Sequence, residues 1–81
     1  MFYTLRYDAA AATVHDALPP ASSEALTEAL ARTCEDPIGA TEPYGHDDGV
    51  MRMVVTERAF AVVLVGHATK RITVLRITYL A

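Results

Sequence analysis

The sequence predicts one α+β domain, in which a helical hairpin packs on a four-stranded, mostly antiparallel sheet. Three observations predict this fold: an alternating polar and apolar start, an alanine-rich middle interrupted by two prolines, and three later runs rich in β-branched residues. The chain has 81 residues, too few for two hydrophobic cores. We therefore expect one domain over residues 1–81, with the element order β-α-α-β-β-β.

The first strand and the first helix are predicted from alternation and from alanine content. Residues 2–8 alternate bulky and polar side chains, as in a half-buried strand whose bulky positions are Tyr3, Leu5 and Tyr7. The alanines that follow are the strongest helix formers. Pro19 and Pro20 end this helix, because proline lacks the backbone donor and clashes inside a helix.

A second helix is predicted over residues 20–35. Leu26, Leu30 and Cys34 recur at four-residue spacing and form an apolar stripe. The two prolines leave almost no linker, so the two helices should lie antiparallel as a hairpin. The stripe should face the sheet.

The second half of the chain predicts a loop at 37–49 and strands at 50–56, 59–65 and 71–80. The middle strand is unusual because its residues are apolar on both faces. A small antiparallel sheet usually leaves one face wet and shows polar alternation. The second face of this strand therefore needs a cover that the two helices cannot provide.

Composition excludes several classes of protein. No apolar run reaches the roughly 18–20 residues of a transmembrane helix, and the N-terminus lacks the pattern of a signal peptide. We therefore expect a cytoplasmic protein without membrane contact. The single cysteine, Cys34, excludes an internal disulfide, and we expect neither a metal site nor a cofactor.

Charge is unevenly distributed along the chain. The net charge is −3, but residues 9–49 carry eight acids and one base, whereas the remaining segments carry six bases and two acids. A basic segment within an acidic protein suggests a local surface that binds anions.

The element order and several short motifs resemble the RelE/ParE toxin superfamily of bacterial type II toxin–antitoxin systems. The motifs are "YTLRYDAAA" before the first helix, "LPP" between the helices, "LARTCEDP" at the end of the second helix, and the strands "VMRMVV", "FAVVLV" and "ITVLRITYL". They extend over nearly the whole chain. Each motif is weak alone, and their order carries the resemblance.

The resemblance implies a toxin that inhibits translation by cleaving messenger RNA on the ribosome. Such toxins use basic residues on a sheet face, often with a tyrosine or histidine near the C-terminus. By position, the resemblance implies Arg52 as a catalytic residue. RNA cleavage by 2′-hydroxyl attack also needs groups that move protons and cations at the phosphate. On that ground we expect Tyr79 to be catalytic and Arg58 and Arg76 to bind RNA phosphates. His67, in the turn before the last strand, is expected to be a solvated turn residue.

This chain departs from the pattern of the superfamily at two positions. Val54 replaces the second base of the strand that carries Arg52, and Ala61 replaces the arginine that usually follows the aromatic residue of the next strand. These departures keep two alternatives open. One is a non-enzymatic, ParE-like inhibitor that binds DNA gyrase, and the other is a toxin homologue that lost catalysis and acts as a binding module.

The apolar strand face predicts a partner-binding surface. We expect the uncovered face to carry four small or β-branched residues: Val54, Ala61, Val63 and Val65. Exposed apolar patches larger than a few hundred Å² usually mark interfaces. The resemblance implies a cognate antitoxin as the cover, and a homodimer is the expectation for the free chain.

Overall fold

A computed structural model describes residues 2–80 of the chain. The described part contains two helices and five strands, which are, in chain order, β1 (Thr4–Tyr7), α1 (Ala9–Ala17), α2 (Pro20–Glu35), β2 (Glu42–Pro43), β3 (Met51–Val55), β4 (Ala59–Gly66) and β5 (Arg71–Tyr79). The predicted α+β class and the predicted order of the long elements are confirmed.

The strands form one sheet in the order β1-β5-β4-β3-β2. β1 runs parallel to β5, and the other neighbours are antiparallel. The predicted count of four strands is wrong by one, because residues 42–43 pair with β3 as a two-residue edge strand. A proline occupies half of that strand, and proline is confined to sheet edges because it cannot donate to the ladder.

The helix ends follow local sequence signals. Asp8 caps α1 by accepting a hydrogen bond from the Ala10 N–H, as short polar side chains do at this position. Pro20 opens α2, where its missing N–H has no helical partner to lose. The predicted bounds of the second helix, residues 20–35, are confirmed.

The hydrophobic core lies between the helical hairpin and one face of the sheet. α2 packs on β3 and β4, and α1 packs on β5. From α2 the core contains Leu26 and Leu30, which are 0% and 1% exposed, so the predicted stripe does face the sheet. Neither helix within residues 2–80 has the length and apolar character needed to cross a membrane.

Replacing Leu30 with alanine should destabilise the domain by about 2–5 kcal/mol, because the lost methyl groups leave a cavity in a packed core. Denaturant unfolding monitored by circular dichroism measures the change. Leu64→Ala is the matched control, since Leu64 is 38% exposed and its truncation opens no cavity of this kind. Equal losses of stability for the two variants would contradict the packing described for α2.

Candidate functional site

The two faces of the sheet can be assigned from alternation and burial. In β4, Ala61, Val63 and Val65 belong to the core under the helices. Side chains alternate along a strand, so Phe60, Val62 and Leu64 lie on the opposite face, which we call the open face.

The predicted partner-binding residues lie on the wrong face for that role. Val54, Ala61, Val63 and Val65 are at most 2% exposed and pack against the helices. The prediction failed because β4 is apolar on both sides, so its alternation could not show which side the helices cover. The residues that the helices leave uncovered on β3 and β4 are Met51, Met53, Val55, Phe60, Val62 and Leu64.

Arg52 is also on the covered side, and its side chain is only 4% exposed. Its Nε donates to the Thr41 hydroxyl at 2.9 Å, and Nη2 donates to the carbonyl oxygens of Thr41 at 3.0 Å and Ile38 at 3.3 Å. Nη1 bonds the Asp47 carboxylate at 2.9 Å. The expectation that Arg52 lies on a phosphate-binding face is therefore wrong, because its donors bind the segment 38–47 instead.

The open face is divided into a basic part and an apolar part. Alternation along β1 and β5 places three exposed arginines there, Arg6, Arg71 and Arg76. β3 and β4 contribute methionine, phenylalanine, valine and leucine side chains. The two residues of β3 on either side of Arg52, Met51 and Met53, thus give this face apolar side chains.

A cleft of about 330 Å³ lies where the two parts meet. Its lining consists of Tyr44, Met51, Val62, Leu75 and Arg76. The Arg76 Nη2 donates to the Tyr44 hydroxyl at 2.8 Å, which joins the 37–49 loop to β5. A guanidinium and a phenol above an apolar floor can bind an anion that also carries a flat or apolar group.

A β-bulge in the pairing of β4 with β5 helps to place Arg76 at this cleft. Val62 pairs with Arg76 and Val63 with Val74, so Leu75 is an extra residue on β5. Bulges bend a strand and redirect its side chains. Leu75 and Arg76 consequently both line the cleft.

Arg58 and Tyr79 lie together at the far end of the sheet, away from this cleft. The N–H of Leu80 donates to the Arg58 carbonyl at 2.7 Å, and Tyr79 pairs with Ala59. Arg58 borders a shallow cleft with Ser22 and Glu57 at the start of α2. Of the four predicted catalytic and phosphate-binding residues, Arg76 is on the open face. Tyr79 comes two residues after buried Ile77 on β5, so it lies on the helical side of the sheet.

His67 has a structural role that the sequence did not reveal. Its side chain is exposed, yet its Nε2–H donates to the Gly49 carbonyl at 2.6 Å. The Tyr3 hydroxyl bonds the other ring nitrogen at 3.1 Å. His67 therefore ties the β4–β5 turn to the end of the 37–49 loop and to the residue before β1.

A second tyrosine–histidine pair joins β1 to the helices. The Thr27 hydroxyl donates to the Ser23 carbonyl, so it accepts from the His15 Nε2–H at 3.2 Å, and the Tyr7 hydroxyl donates to Nδ1 at 2.8 Å. Burial raises the pKa of the Tyr7 phenol, and the nearby Asp16 carboxylate adds to the effect. With a raised pKa, the Tyr7 hydroxyl retains the hydrogen that it donates to His15.

The Asp48 side chain, in the loop before β3, bonds the backbone where β3 begins. Its Oδ1 accepts hydrogen bonds from the N–H groups of Val50 at 2.9 Å and Met51 at 3.2 Å. These two bonds lower the pKa of the Asp48 carboxyl below its usual range, because they favour the charged form. Asp48 thus fixes the point where the loop enters the sheet.

No family model matches the chain, and no curated protein matches it. Solved structures do match. The toxin–antitoxin complex RelBE2 from Mycobacterium tuberculosis aligns with a TM-score of 0.83 at 16% identity, over 98% of this chain and 92% of that chain. The isolated RelE toxin of E. coli aligns with a TM-score of 0.82 at 21% identity, over 98% of this chain and 85% of that chain.

An archaeal RelE–RelB complex from Pyrococcus horikoshii aligns with a TM-score of 0.75 at 15% identity, over 98% of this chain and 96% of that chain. This chain has the RelE fold. The predicted resemblance is confirmed at the level of the fold, which extends over nearly all of the chain.

The RelE fold leaves the roles of individual residues untested, and the roles of Tyr79, Arg58 and Arg76 stay predictions. Sequence reasoning missed Tyr44, which contributes the phenol of the cleft. A signal for it was present, because an aromatic residue between Pro43 and Gly45 in a polar loop has no core to fill.

The Asp48 carboxylate should lose its capping role when it is protonated. Its pKa is lower in the folded protein than in the unfolded chain, so its contribution to stability is complete above the unfolded value and is lost as the pH falls through the folded value. Acid titration followed by NMR should show the Asp48 carboxyl titrating below the pH range that is usual for an aspartate. Titration of the Asp48 carboxyl within that usual range would contradict the cap.

Proposed function

We propose that this chain is the toxin component of a type II toxin–antitoxin system and is neutralised by a cognate antitoxin. The observation that carries the proposal is the RelE fold itself, matched over 98% of the chain in toxin structures that include complexes with antitoxins. The toxin acts in the bacterial cytoplasm in this proposal, and no cofactor takes part.

Growth arrest after induction tests the proposal directly. The chain is expressed from a tight promoter, with and without the gene that neighbours it in the source genome. Arrest that the neighbouring gene product relieves, together with co-purification of the two proteins, is the expected result. Normal growth on strong expression of the soluble chain would count against a toxin.

For the mechanism we propose ribosome-dependent cleavage of messenger RNA at the open face. The basic part supplies phosphate contacts, and apolar side chains, including Phe60, supply surfaces on which unpaired bases stack. RNA cleavage by 2′-hydroxyl attack needs cations at the phosphate and groups that move protons. The Arg76 guanidinium and the Tyr44 hydroxyl, 2.8 Å apart, are the pair best placed for these tasks.

A second candidate is a toxin-like protein that binds its target without cleaving RNA. The observation that favours it is the character of β3, which presents Met51 and Met53 to the open face while Arg52 is buried beneath it. Such a surface suits binding of a protein, DNA gyrase among them, better than charge stabilisation in a transition state.

Replacing Arg76 with alanine should separate the two mechanisms. If RNA is cleaved at the open face, Arg76→Ala should lower the cleavage rate by a factor on the order of 10²–10³, because one preorganised contact to the phosphate is lost. The measurement is mapping of RNA 5′ ends on translating ribosomes. Arg32→Ala is the matched control, since Arg32 is an exposed arginine on α2, in the layer opposite the open face.

Codon-positioned cuts that Arg76→Ala abolishes and Arg32→Ala preserves would support cleavage at this site. Intact RNA with growth arrest would support the binding-only candidate, and DNA damage would identify gyrase as the target. Equal cleavage by wild type and Arg76→Ala would remove Arg76 from the mechanism.

We also propose that the antitoxin covers part of the apolar side of the open face. Leu64→Lys should then weaken co-purification with the antitoxin, or self-association of the free chain as a homodimer, with little loss of stability, because Leu64 is 38% exposed. Val50→Lys is the matched control, since Val50 is 37% exposed and lies outside the open face. Light scattering and co-purification measure both effects; unchanged binding by Leu64→Lys would contradict this surface.

A further inference from the structure

Arg52 has an environment that calls for a role other than phosphate binding. A buried guanidinium is stable only when its donors are satisfied, since an unpaired buried charge is costly. In this structure the partners of Arg52 come from one segment, residues 38–47. The shared Thr41 hydroxyl also donates to the Pro37 carbonyl, which extends the network to the start of the loop.

The bonds of Arg52 hold this segment at both ends. Ile38 and Thr41 are bound at its beginning and Asp47 at its end, at distances between 2.9 and 3.3 Å. Tyr44 lies midway between Thr41 and Asp47, and its N–H donates to the Met51 carbonyl at 3.2 Å. Fixing both ends of so short a segment restricts the position of the residue at its centre.

The Tyr44 side chain leaves this segment and lies over the open face. Its hydroxyl accepts from Arg76 on β5, although β3 and β4 both lie between β5 and β2, the strand that Tyr44 follows. Val62, which belongs to the open face of β4, is nevertheless only 4% exposed, and Tyr44 and Arg76 both line the cleft beside it. The low exposure of Val62 agrees with side chains lying across the open face here, and Tyr44 and Arg76 are two of the five residues that line this cleft.

We propose that Arg52 is a positioning residue that acts from the covered side of the sheet and holds the Tyr44 phenol against Arg76 on the open face. The guanidinium suits this task because its planar fork bonds three residues at once, which a lysine ammonium on a flexible stem does not reproduce. Arg52, for which the resemblance implied a role as catalytic cation, thus acts on the site indirectly, by positioning Tyr44.

The positioned pair has a chemical use. The Tyr44 hydroxyl accepts the Arg76 N–H, so its own hydrogen can be donated to a bound anion beside the remaining Arg76 donors. Two donors of this kind with fixed spacing suit the oxygens of a phosphate ester. This use rests on the proposed function, whereas the positioning of Tyr44 by Arg52 does not.

NMR of the free protein tests the positioning without any substrate. Tyr44→Phe removes only the hydroxyl and defines how the Arg76 side-chain signals shift when the contact is lost. Arg52→Met should produce the same shift, and adding Tyr44→Phe to it should cause no further change. Exchange of the Tyr44 amide should accelerate by at least about tenfold, because local opening no longer has to break the Arg52 bonds.

Two further variants separate positioning from charge and from general loss of packing. Arg52→Lys keeps the charge and should fail to restore the Arg76 signals. Asp47→Asn removes the charge from a side chain that is 75% exposed. Because asparagine keeps the Oδ1 acceptor for Arg52 Nη1 and the bonds to Thr41 and Ile38 are untouched, its Arg76 signals should match wild type. Backbone signals of β4 and β5 report whether each variant is folded.

If Arg52→Met does not fold, Thr41→Val takes its place, since it removes the acceptor of the Arg52 Nε. Wild-type Arg76 signals in a folded Arg52→Met or Thr41→Val variant would overturn the proposal, and so would their restoration by Arg52→Lys. A chain that cleaves no RNA would contradict the proposed cleavage mechanism while leaving the NMR result intact, so the two failures are distinguishable.

Discussion

The alternation of side chains along β4 is the constraint on which the rest of the structure depends. β4 is the middle strand of the sheet, and its pairing transmits its orientation to β3 and β5. Because Ala61 and Val63 face the helices, their pairing partners Val54 and Arg52 must face them as well. A slip of one residue would turn Arg76 under the helices and leave Arg52 on the open face.

The order of the elements and the bounds of α2 could be predicted because their signals are local. Pro20 marks the start of α2, and the four-residue spacing of Leu26 and Leu30 gives its buried face directly. The orientation of β4 had no such signal, since Ala61 and Val62 are both apolar and both buried. The edge strand at 42–43 was missed because two residues, one a proline, show no period.

The candidate functional surface was harder to predict than the fold for a physical reason. The Arg52 side chain is satisfied partly by the carbonyl oxygens of Ile38 and Thr41, and every residue has a carbonyl. The sequence therefore showed the Arg52 cation but not the acceptors that satisfy its hydrogen-bond donors. Tyr44 was missed because its hydrogen-bond partner, Arg76, is 32 residues away along the chain.

The fold also separates charges that the net value of −3 conceals. The exposed acids of the helices, Asp16, Glu24, Glu28 and Glu35, lie on the layer opposite the arginines of the open face. Screening limits each field to about 8 Å at physiological ionic strength, so a partner responds to the layer it approaches rather than to the net charge. In the proposed function, an anionic ligand such as RNA would therefore be attracted to the β1 and β5 side of the open face, and a basic segment of an antitoxin to the helices. An antitoxin that reached both layers could bind the acidic helices through charge and the apolar part of the open face through burial. It would then compete with RNA for the open face without contacting the arginines.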